Sequence, residues 1–483
     1  MTTPTPTTPV RGEAPPAPAS RTRLTFLLLA VGTGSFAMLQ SLVTPVLPVI
    51  QHDLHTTQSA VSWILIAWLL SASVATPILG RVGDMAGKER SLLLVLGAIV
   101  VGSLVAALSP NIGVMIVGRV IQGLGGAVYP LSFGIVRDEF PRERVPSAIG
   151  AMSGVIAVGG GLGTVLAGPV LDALGWRWLF WIPMIVVAVT AVLCRLFVPE
   201  SPVRSGGRIN WLSATLLSVW LLALLLPVSE GEQWGWASAP TVVLFVVAVA
   251  GFAVWVLVES RSSNPVIDMR MMRMPAVWTT NLVALFFGAG MFATLTFLPQ
   301  LIQTPTSAGY GFGATVTEAG VLILPLLVTM AVSGVISGPI HRTVGFKAQV
   351  ALGSALLSLA CLGFALWHDG QGQVALASAV FGLGLGIAYA ATTSLIVQNV
   401  APAQTGVATG MNTNIRNIGG AIGTAIVSAV ITSQVQSSGL PTEAAYRDGF
   451  LILAAISAAA VLVTALVPAA RSTEEQPGRL SLN

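Results

Sequence analysis

The side chains of this chain that could do chemistry are isolated charges inside apolar segments. Arg119 and Arg416 stand within long runs of apolar residues, and Glu318 lies near the start of another run. An arginine at the centre of a bilayer costs about 2.5–3.5 kcal/mol on insertion scales, so each should face a wet cavity or a polar partner. Glu318 is the acid best placed to change protonation in a partly buried site. These positions suit charge coupling or a charged cavity.

The motifs of common catalytic and metal sites are missing from the sequence. It has no His/Asp/Glu cluster, no HExxH and no Walker-type loop, which argues against hydrolysis and ATP-driven pumping. Cys194 and Cys361 fall inside apolar runs, where disulfide, metal and thiol chemistry are not expected. The sequence therefore predicts no catalytic residue, no metal site and no cofactor, and the protein is not expected to be an enzyme.

The composition is that of a membrane protein. Charged residues make up 9% of the 483 residues and hydrophobic residues 54%, whereas about 25% of a soluble domain is charged. Apolar runs of about 18 residues or more recur between Leu24 and Pro468, and each is long enough to cross a bilayer as a helix. We expect about fourteen such helices, so the predicted fold is an all-α membrane protein surrounded by lipid.

The basic residues predict which loops face the cytoplasm. Nearly all of them fall in one set of loops and in the two tails, whereas the opposite loops hold only Arg177 and Arg447. Cytoplasmic loops carry an excess of Lys and Arg. Both termini are therefore expected in the cytoplasm, in a multi-pass protein of a bacterial cytoplasmic membrane. The net charge of +4 is read as a sign of topology, and nucleic-acid binding is not expected.

Two short basic loops indicate an internal repeat. Residues 80–90 read GRVGDMAGKER and residues 338–348 read GPIHRTVGFKA. Each follows a predicted span and has glycines seven positions apart, and the two lie about half the chain apart. Parallel two-half repeats of this kind occur in many secondary transporters, whose substrate site lies between the halves near the membrane midplane.

The first of these loops resembles the signature between the second and third helices of the major facilitator superfamily. The resemblance implies that its charges form a latch between the halves on the cytoplasmic side. Asp84 is expected to cap a neighbouring helix N-terminus or to pair with arginines of the next cytoplasmic loop. The residues that carry the signature and the predicted latch are Gly80, Arg81, Gly83, Asp84, Gly87, Lys88 and Arg90.

The number of helices is similar to that of the fourteen-helix drug:proton antiporter (multidrug efflux) branch of this superfamily. The resemblance implies the major facilitator fold, with two six-helix halves and two extra helices between them. The expected organisation is a disordered cytoplasmic tail at 1–23, a first half at 24–198, a linker with the two extra helices at 199–275, a second half at 276–469 and a cytoplasmic tail at 470–483.

The two buried arginines lie in segments that resemble the same family. Arg119 belongs to GRVIQGLGGA, which is similar to the fourth-helix signature implicated in proton coupling. Arg416 belongs to GVATGMNTNIRNIGGAIGTAI, which resembles the thirteenth helix of the fourteen-helix branch. The alternatives are a structural arginine bonded to backbone carbonyls at position 119 and an asparagine-rich helix seam around position 416.

Two departures from the family bear on proton coupling. The first-span segment MLQSLVTPVLP lacks the acid that the branch commonly carries, and GLGTVLAGP in the fifth span has Thr164 where a proline is usual. Glu318 is then the best remaining proton carrier. Its alternative is a solvated glutamate that is favoured by the dipole at the start of a helix.

The leading functional hypothesis is a proton-coupled secondary transporter, active as a monomer, that exports amphipathic small molecules such as drugs or a natural product by alternating access. Alternatives are a proton-independent facilitator or importer of the same fold, and a non-transporting membrane sensor. A cavity with apolar walls and few polar groups suits such substrates. Its expected lining comes mainly from the first, fourth, ninth and twelfth spans: Gln40, Thr44, Gln122, Tyr129, Asn281, Phe292, Tyr389 and Thr392, with Asn412 from the thirteenth.

Overall fold

The structure, a computed structural model, describes residues 19–201, 204–206, 208–436 and 438–468. The predicted tail at 470–483 and most of the one at 1–23 lie outside these residues. The predicted N-terminal boundary was too late, because the first helix already begins at Ala19.

Fourteen helices of the described residues are long and apolar enough to cross a membrane, which confirms the predicted number. We label them α1 to α14 in chain order. Their bounds are α1 Ala19–Leu42, α2 Gln58–Ala86, α3 Lys88–Ala107, α4 Ile112–Gly123 with its continuation Val128–Glu139, α5 Val145–Leu174, α6 Trp178–Phe197, α7 Trp211–Trp234, α8 Ala239–Arg261, α9 Pro275–Gln303, α10 Val316–Ile340, α11 Phe346–Leu366, α12 Gln371–Asn399, α13 Thr405–Ser433 and α14 Glu443–Thr464.

The fourth span is interrupted where glycines bring three helices together. Between its two α-helical parts lies a 3₁₀ turn, Leu124–Ala127. A Cβ added at Gly126 would lie 2.5 Å from the Thr76 hydroxyl of α2, and one at Gly125 would meet the ring of Phe36 in α1. Because glycine has no side chain, α1 and α2 can pack directly on this turn. The turn places the next residues of α4, including Tyr129, beside both helices.

The helices of the two halves pack in the same pattern. In the first half α1 packs on α5 and α6, α3 packs on α4 and α6, and α2 packs on α4. In the second half α9 packs on α13 and α14, α11 packs on α12 and α14, and α10 packs on α12. Each pair recurs eight helices later.

The two glycine loops, at 80–90 and 338–348, are less alike in backbone conformation. Gly87 has a φ of +119°, whereas Gly345 has a φ of −53°.

The halves meet along two seams, α5 against α10 and α2 against α13. We call the side with the α2–α3 turn at Gly87 the latch face, and the side with the α9–α10 connection at 304–315 the far face. Near the latch face a Cβ added at Gly150 would lie 2.5 Å from the Gly334 carbonyl oxygen. Near the far face a Cβ at Gly168 would find Thr317 at 3.9 Å. The backbones of α5 and α10 thus approach each other most closely towards the latch face.

The extra helices α7 and α8 pack on each other, and α7 also packs on α2 and α13. Trp220 of α7 meets Phe252 and Trp255 of α8 with ring centroids 5.1 and 5.7 Å apart. At the latch-face end, the buried Glu259 carboxylate accepts hydrogen bonds from the Ser213 hydroxyl and the Ile267 backbone. The pair therefore forms one unit that lies against the α2–α13 seam, between the halves in sequence as predicted.

Candidate functional site: a latch and a central cavity

Asp84 joins the two halves at the latch face. Its carboxylate accepts hydrogen bonds from the backbone N–H of Gly406 at 3.1 Å and of Val407 at 2.9 Å, and the side chain is completely buried. These N–H groups belong to the first turn of α13, whose unpaired donors and positive dipole end favour an anion. The carboxylate of the first half therefore caps a helix of the second.

The charge of Asp84 is balanced within its own half. Lys88 is completely buried, with its ammonium 3.9 Å from Asp84 and 2.5 Å from Asp138. Asp138 also accepts a hydrogen bond from the Ser201 hydroxyl. Buried charges are stable only when they are paired and hydrogen-bonded. Lys88 supplies the pairing from the same half, whereas the hydrogen bonds to the Asp84 carboxylate come from the second half.

Arg137 forms a second bridge between the halves, which the sequence reading missed. Its guanidinium donates to the Thr405 hydroxyl at 2.7 Å and to the Val400 carbonyl at 2.8 Å, so it holds the α12–α13 connection against the end of α4. In the sequence Arg137 is one of many basic residues at the ends of spans. Nothing in its local pattern distinguishes it, because its partners lie more than 260 residues away.

The remaining predicted latch residues have different contacts. Gly80 meets Gly406, where an added Cβ would lie 2.7 Å from the carbonyl oxygen, and Gly83 packs against Leu131. Arg81 instead donates to the Ser205 hydroxyl at 3.1 Å. Of the seven, only Gly80 and Asp84 are therefore described in contact with the second half.

The segment after α6 is held against the α2–α3 turn. Glu200 accepts a hydrogen bond from the Glu89 backbone at 3.3 Å, and Arg90, largely exposed, lies 3.6 Å from its carboxylate. A Cβ added at Gly87 would lie 2.5 Å from that same carboxylate. Arg90 thus fastens the linker to the turn, which corrects its prediction as part of the contact between halves.

Arg119 is completely buried among α2, α3 and α4. Its Nε donates to the Ile64 carbonyl at 3.0 Å and its Nη1 to the Gln122 side chain at 2.8 Å. Gln122 in turn donates to the Ser103 hydroxyl at 2.7 Å. The guanidinium also lies 5.6 Å from the Trp68 ring. These contacts correspond to the structural alternative, since neither Arg119 nor Gln122 is among the residues that line the central cavity.

A cavity of about 490 Å³ lies between the halves. Five of the predicted lining residues do line it: Gln40, Thr44, Tyr129, Phe292 and Tyr389. The second, fifth, tenth and thirteenth spans also contribute, among them Trp68, Thr76, Thr164 and Thr413. The lining runs from the middle of α2, α12 and α13 to Gln303 at the far-face end of α9. The cavity therefore extends towards the far face, whereas Asp84 and Arg137 hold the latch face together.

The other predicted cavity residues lie outside the cavity lining, and two of them join neighbouring helices. Asn412 of α13 donates to the Asn281 side chain of α9 at 2.9 Å, and both are buried. Thr392 donates to the Ala388 carbonyl of its own helix. None of the three lines the cavity. The pairing of Asn412 with Asn281 corresponds to the asparagine seam that the sequence left open for this helix.

Arg416 reaches the cavity. Its Nη2 donates to the Tyr389 hydroxyl at 2.9 Å and to the Thr413 hydroxyl at 3.2 Å. The guanidinium carbon lies 4.1 Å from the centre of the Tyr389 ring. Among the described residues that line the cavity, Arg416 is the one charged side chain.

Glu318 does not occupy a partly buried site. It is exposed and forms a capping box at the start of α10: its carboxylate accepts from the Thr315 backbone at 2.8 Å, while its own backbone donates to the Thr315 hydroxyl at 3.2 Å. It does not line the cavity. The geometry corresponds to the alternative of a solvated glutamate at a helix start.

The family model described as the Major Facilitator Superfamily matches residues 29–424 of the chain. The sequence is 29% identical over 416 residues to the tetracenomycin C resistance and export protein of Streptomyces glaucescens, a match that covers 85% of this chain and 76% of that protein. It is 26% identical over 407 residues to the multidrug transporter protein MdtP of Bacillus subtilis, covering 82% and 72% of the two chains.

The fold is also similar to a solved structure. The crystal structure of the human organic anion transporter MFSD10 (TETRAN) matches with a TM-score of 0.67 and 17% sequence identity, covering 92% of this chain and 99% of that one. At this identity the likeness shows the shared fold alone.

Proposed function

This chain belongs to the Major Facilitator Superfamily, and we propose that it exports amphipathic small molecules across the bacterial cytoplasmic membrane by alternating access. The observation that carries the proposal is the asymmetric seam: a cavity that extends to the far face, and Asp84 and Arg137 bridging the halves at the latch face. The relatives named for tetracenomycin C export and multidrug transport support the direction and the class of substrate.

We propose that the latch face lies in the cytoplasm, which the distribution of basic residues supports. The state described by the structure is then outward-facing. To load a molecule from the cytoplasm, the halves must rock apart at the latch face, which requires Asp84 to leave the N-terminus of α13. Asp84 then keeps Lys88 as its partner, so the opening does not leave a buried charge unpaired.

The cavity walls suit a molecule with an aromatic or apolar body. Phe36 and Trp68 of the first half face the cavity, as do Phe292 and Tyr389 of the second. A volume of about 490 Å³ lies in the range of small-molecule sites, which are mostly apolar with a few placed polar groups. We propose that the protein acts on such molecules as a monomer, because one chain supplies both halves of the cavity.

A facilitator that does not depend on protons is the second candidate. Two observations favour this candidate. Arg416 is the one charged side chain of the described cavity lining, and Glu318 is exposed. In the proton-coupled form of the proposal, a carboxylate with access to both sides would have to carry the proton. The response of the wild type to an imposed pH gradient distinguishes the two. Glu318→Gln tests whether Glu318 is the carrier, since glutamine can still form the capping box.

The experiment uses the full chain in liposomes loaded with fluorescent amphipathic compounds of different charge. We expect efflux faster than from protein-free liposomes, and an equal response of wild type and Glu318→Gln to an imposed pH gradient. Loss of gradient-driven efflux in Glu318→Gln alone, with downhill efflux retained, would restore Glu318 as the proton carrier. Efflux no faster than through bare lipid for every compound contradicts the transport proposal itself.

A further inference from the structure

We infer that Arg416 binds an anionic group of the transported molecule, so that the substrate class is an aromatic organic anion. This inference rests on the proposed export function and names the chemistry recognised at the same cavity. Three observations support the inference. The Arg416 guanidinium lines the cavity, some of its N–H donors have no described partner, and no described Asp or Glu lies beside it.

The guanidinium of Arg416 retains hydrogen-bonding capacity. Within the described part of the chain, both of its hydrogen bonds come from Nη2, to the hydroxyls of Tyr389 and Thr413. Arginine has five N–H donors in a planar fork that fits carboxylate, sulfonate or phenolate oxygens. The Nε and Nη1 donors have no described partner, although the residue is 97% buried (3% exposed). The two existing bonds fix the fork without saturating it.

The charge of Arg416 is also uncompensated. No Asp or Glu of the described residues lies within 4.0 Å of its guanidinium, and none lines the cavity. A buried charge without a partner is costly. An anionic group in the cavity would supply that partner, whereas a cationic group would meet like charge at low dielectric. The electrostatics of the cavity therefore select against cations.

The neighbours of Arg416 favour an aromatic anion. The Tyr389 ring lies under the guanidinium at 4.1 Å, and Tyr129 of the first half lines the same cavity. The Phe36 ring contacts Tyr129 edge-on, with centroids 5.4 Å apart. Offset and edge-to-face contacts with such rings stabilise a flat aromatic body, and its anionic substituent would then reach the free donors of Arg416.

Arg119 shows that this arrangement is not shared by every buried arginine of the chain. Its Nε and Nη1 have partners in α2 and α4. Its Nη2 has no described partner, but this nitrogen is buried and Arg119 lies outside the cavity lining. Arg416 is thus the arginine whose charge a molecule in the cavity can reach.

The test uses three anthracene probes of nearly equal shape: anthracene-2-sulfonate, its neutral sulfonamide and the cationic 2-(aminomethyl)anthracene. Binding to the full chain in liposomes is followed by quenching of tryptophan fluorescence, since Trp68 lines the cavity. We expect the sulfonate to bind more tightly than either other probe. Arg416→Gln should weaken sulfonate binding about tenfold and leave sulfonamide binding unchanged, as for loss of a charge-assisted hydrogen bond.

Two further variants complete the comparison. Arg416→Lys keeps the charge and should retain most of the preference for the sulfonate. Arg447→Gln is the matched control: it also removes one positive charge, but at a half-exposed site beside Asp448 and outside the cavity lining. It should bind all three probes as the wild type does.

A wild-type protein that binds the sulfonate no more tightly than the sulfonamide overturns the inference, whether or not Arg416→Gln folds. So does an equal loss of both probes in a folded Arg416→Gln. Efflux of the sulfonate is measured separately, and an inside-negative potential should accelerate it but not efflux of the sulfonamide. Selective binding without efflux would contradict the export function alone, whereas efflux of all three probes without selective binding would contradict the anion inference alone.

Discussion

At the scale of single residues, the molecule uses the same physical situation, a charge in an apolar surrounding, for three different purposes. Asp84 satisfies a helix end of the other half, Arg119 is held by α2 and α4, and Arg416 leaves donors free towards the cavity. What separates them is the set of partners. A charge whose partner belongs to the other half resists separation of the halves, whereas a charge with free donors can bind a ligand.

Asp84→Asn should slow transport without preventing insertion into the membrane. Asparagine has one acceptor oxygen for the two N–H groups of α13 and loses the charge that the helix N-terminus favours, a difference of about 0.3–2 kcal/mol. The contact between the halves weakens while the apolar spans are unchanged. Initial efflux rates in liposomes, at equal amounts of inserted protein, measure the effect.

Arg90→Gln is the control for this prediction, because Arg90 is largely exposed and pairs with Glu200 rather than with the second half. We expect near-wild-type efflux for Arg90→Gln. Equal impairment of both variants would mean that the basic turn acts as a whole, and normal efflux by Asp84→Asn would remove the latch assignment.

At the scale of elements, glycines decide how closely the halves approach. The α5–α10 seam brings Gly150 against the Gly334 backbone, and the α2–α13 seam brings Gly80 against that of Gly406. Small residues allow membrane helices to pack backbone to backbone, where van der Waals contact contributes most to their association. The seams close the latch face because their closest backbone contacts lie at that end.

Gly150→Ala should shift the protein away from the outward-facing state. Its Cβ would lie 2.5 Å from the Gly334 carbonyl oxygen, a backbone atom that can move only if the helices separate. The rate at which a membrane-impermeant maleimide labels Thr44→Cys in the cavity reports how open the far face is. We expect slower labelling of Thr44→Cys in the Gly150→Ala background.

Gly97→Ala in α3 is the matched substitution, because nothing lies within 4 Å of its added Cβ. It should leave the labelling rate unchanged. If both glycine variants label at the wild-type rate, the seam is not what sets the balance between the two states.

At the scale of the whole molecule, the two halves repeat one packing pattern and the extra pair α7–α8 lies on the α2–α13 seam. An even number of spans puts both ends of the fourteen helices on one side. Alternating access in such a pair of halves is largely rigid-body rocking about the site between them. The orientation of the pair in the membrane then fixes which state the structure describes.

The proposed orientation predicts opposite labelling of the two faces in intact cells. A cysteine in place of Ser307, exposed in the α9–α10 connection, should react with a membrane-impermeant maleimide added outside. A cysteine in place of Thr343, exposed after α10 at the latch face, should react only after the membrane is permeabilised. The reverse pattern would make the described state inward-facing and would contradict the proposed orientation.

The sequence alone determined the features that depend on local composition. A helix needs about twenty apolar residues in a row to cross the hydrocarbon of a bilayer. The fourteen spans and the extra pair between the halves can therefore be identified from the sequence without knowing which helices are in contact. The spacing of Gly80, Asp84 and Gly87 is also local, and it located the turn that lies at the latch face. Five of the predicted cavity residues, from the first, fourth, ninth and twelfth spans, line the cavity.

Only the tertiary structure decided which charges reach the cavity. Arg119 and Arg416 give the same signal in the sequence, because the cost of an arginine in an apolar run depends on the run and not on its neighbours in space. Their difference arises from helix rotation and from partners such as Ile64 and Tyr389, which come from other spans. The roles of Arg137 and Glu318 were hidden for related reasons. Arg137 bonds to residues more than 260 positions away in the chain. Glu318 is held at the surface by a capping box, which depends on where α10 begins.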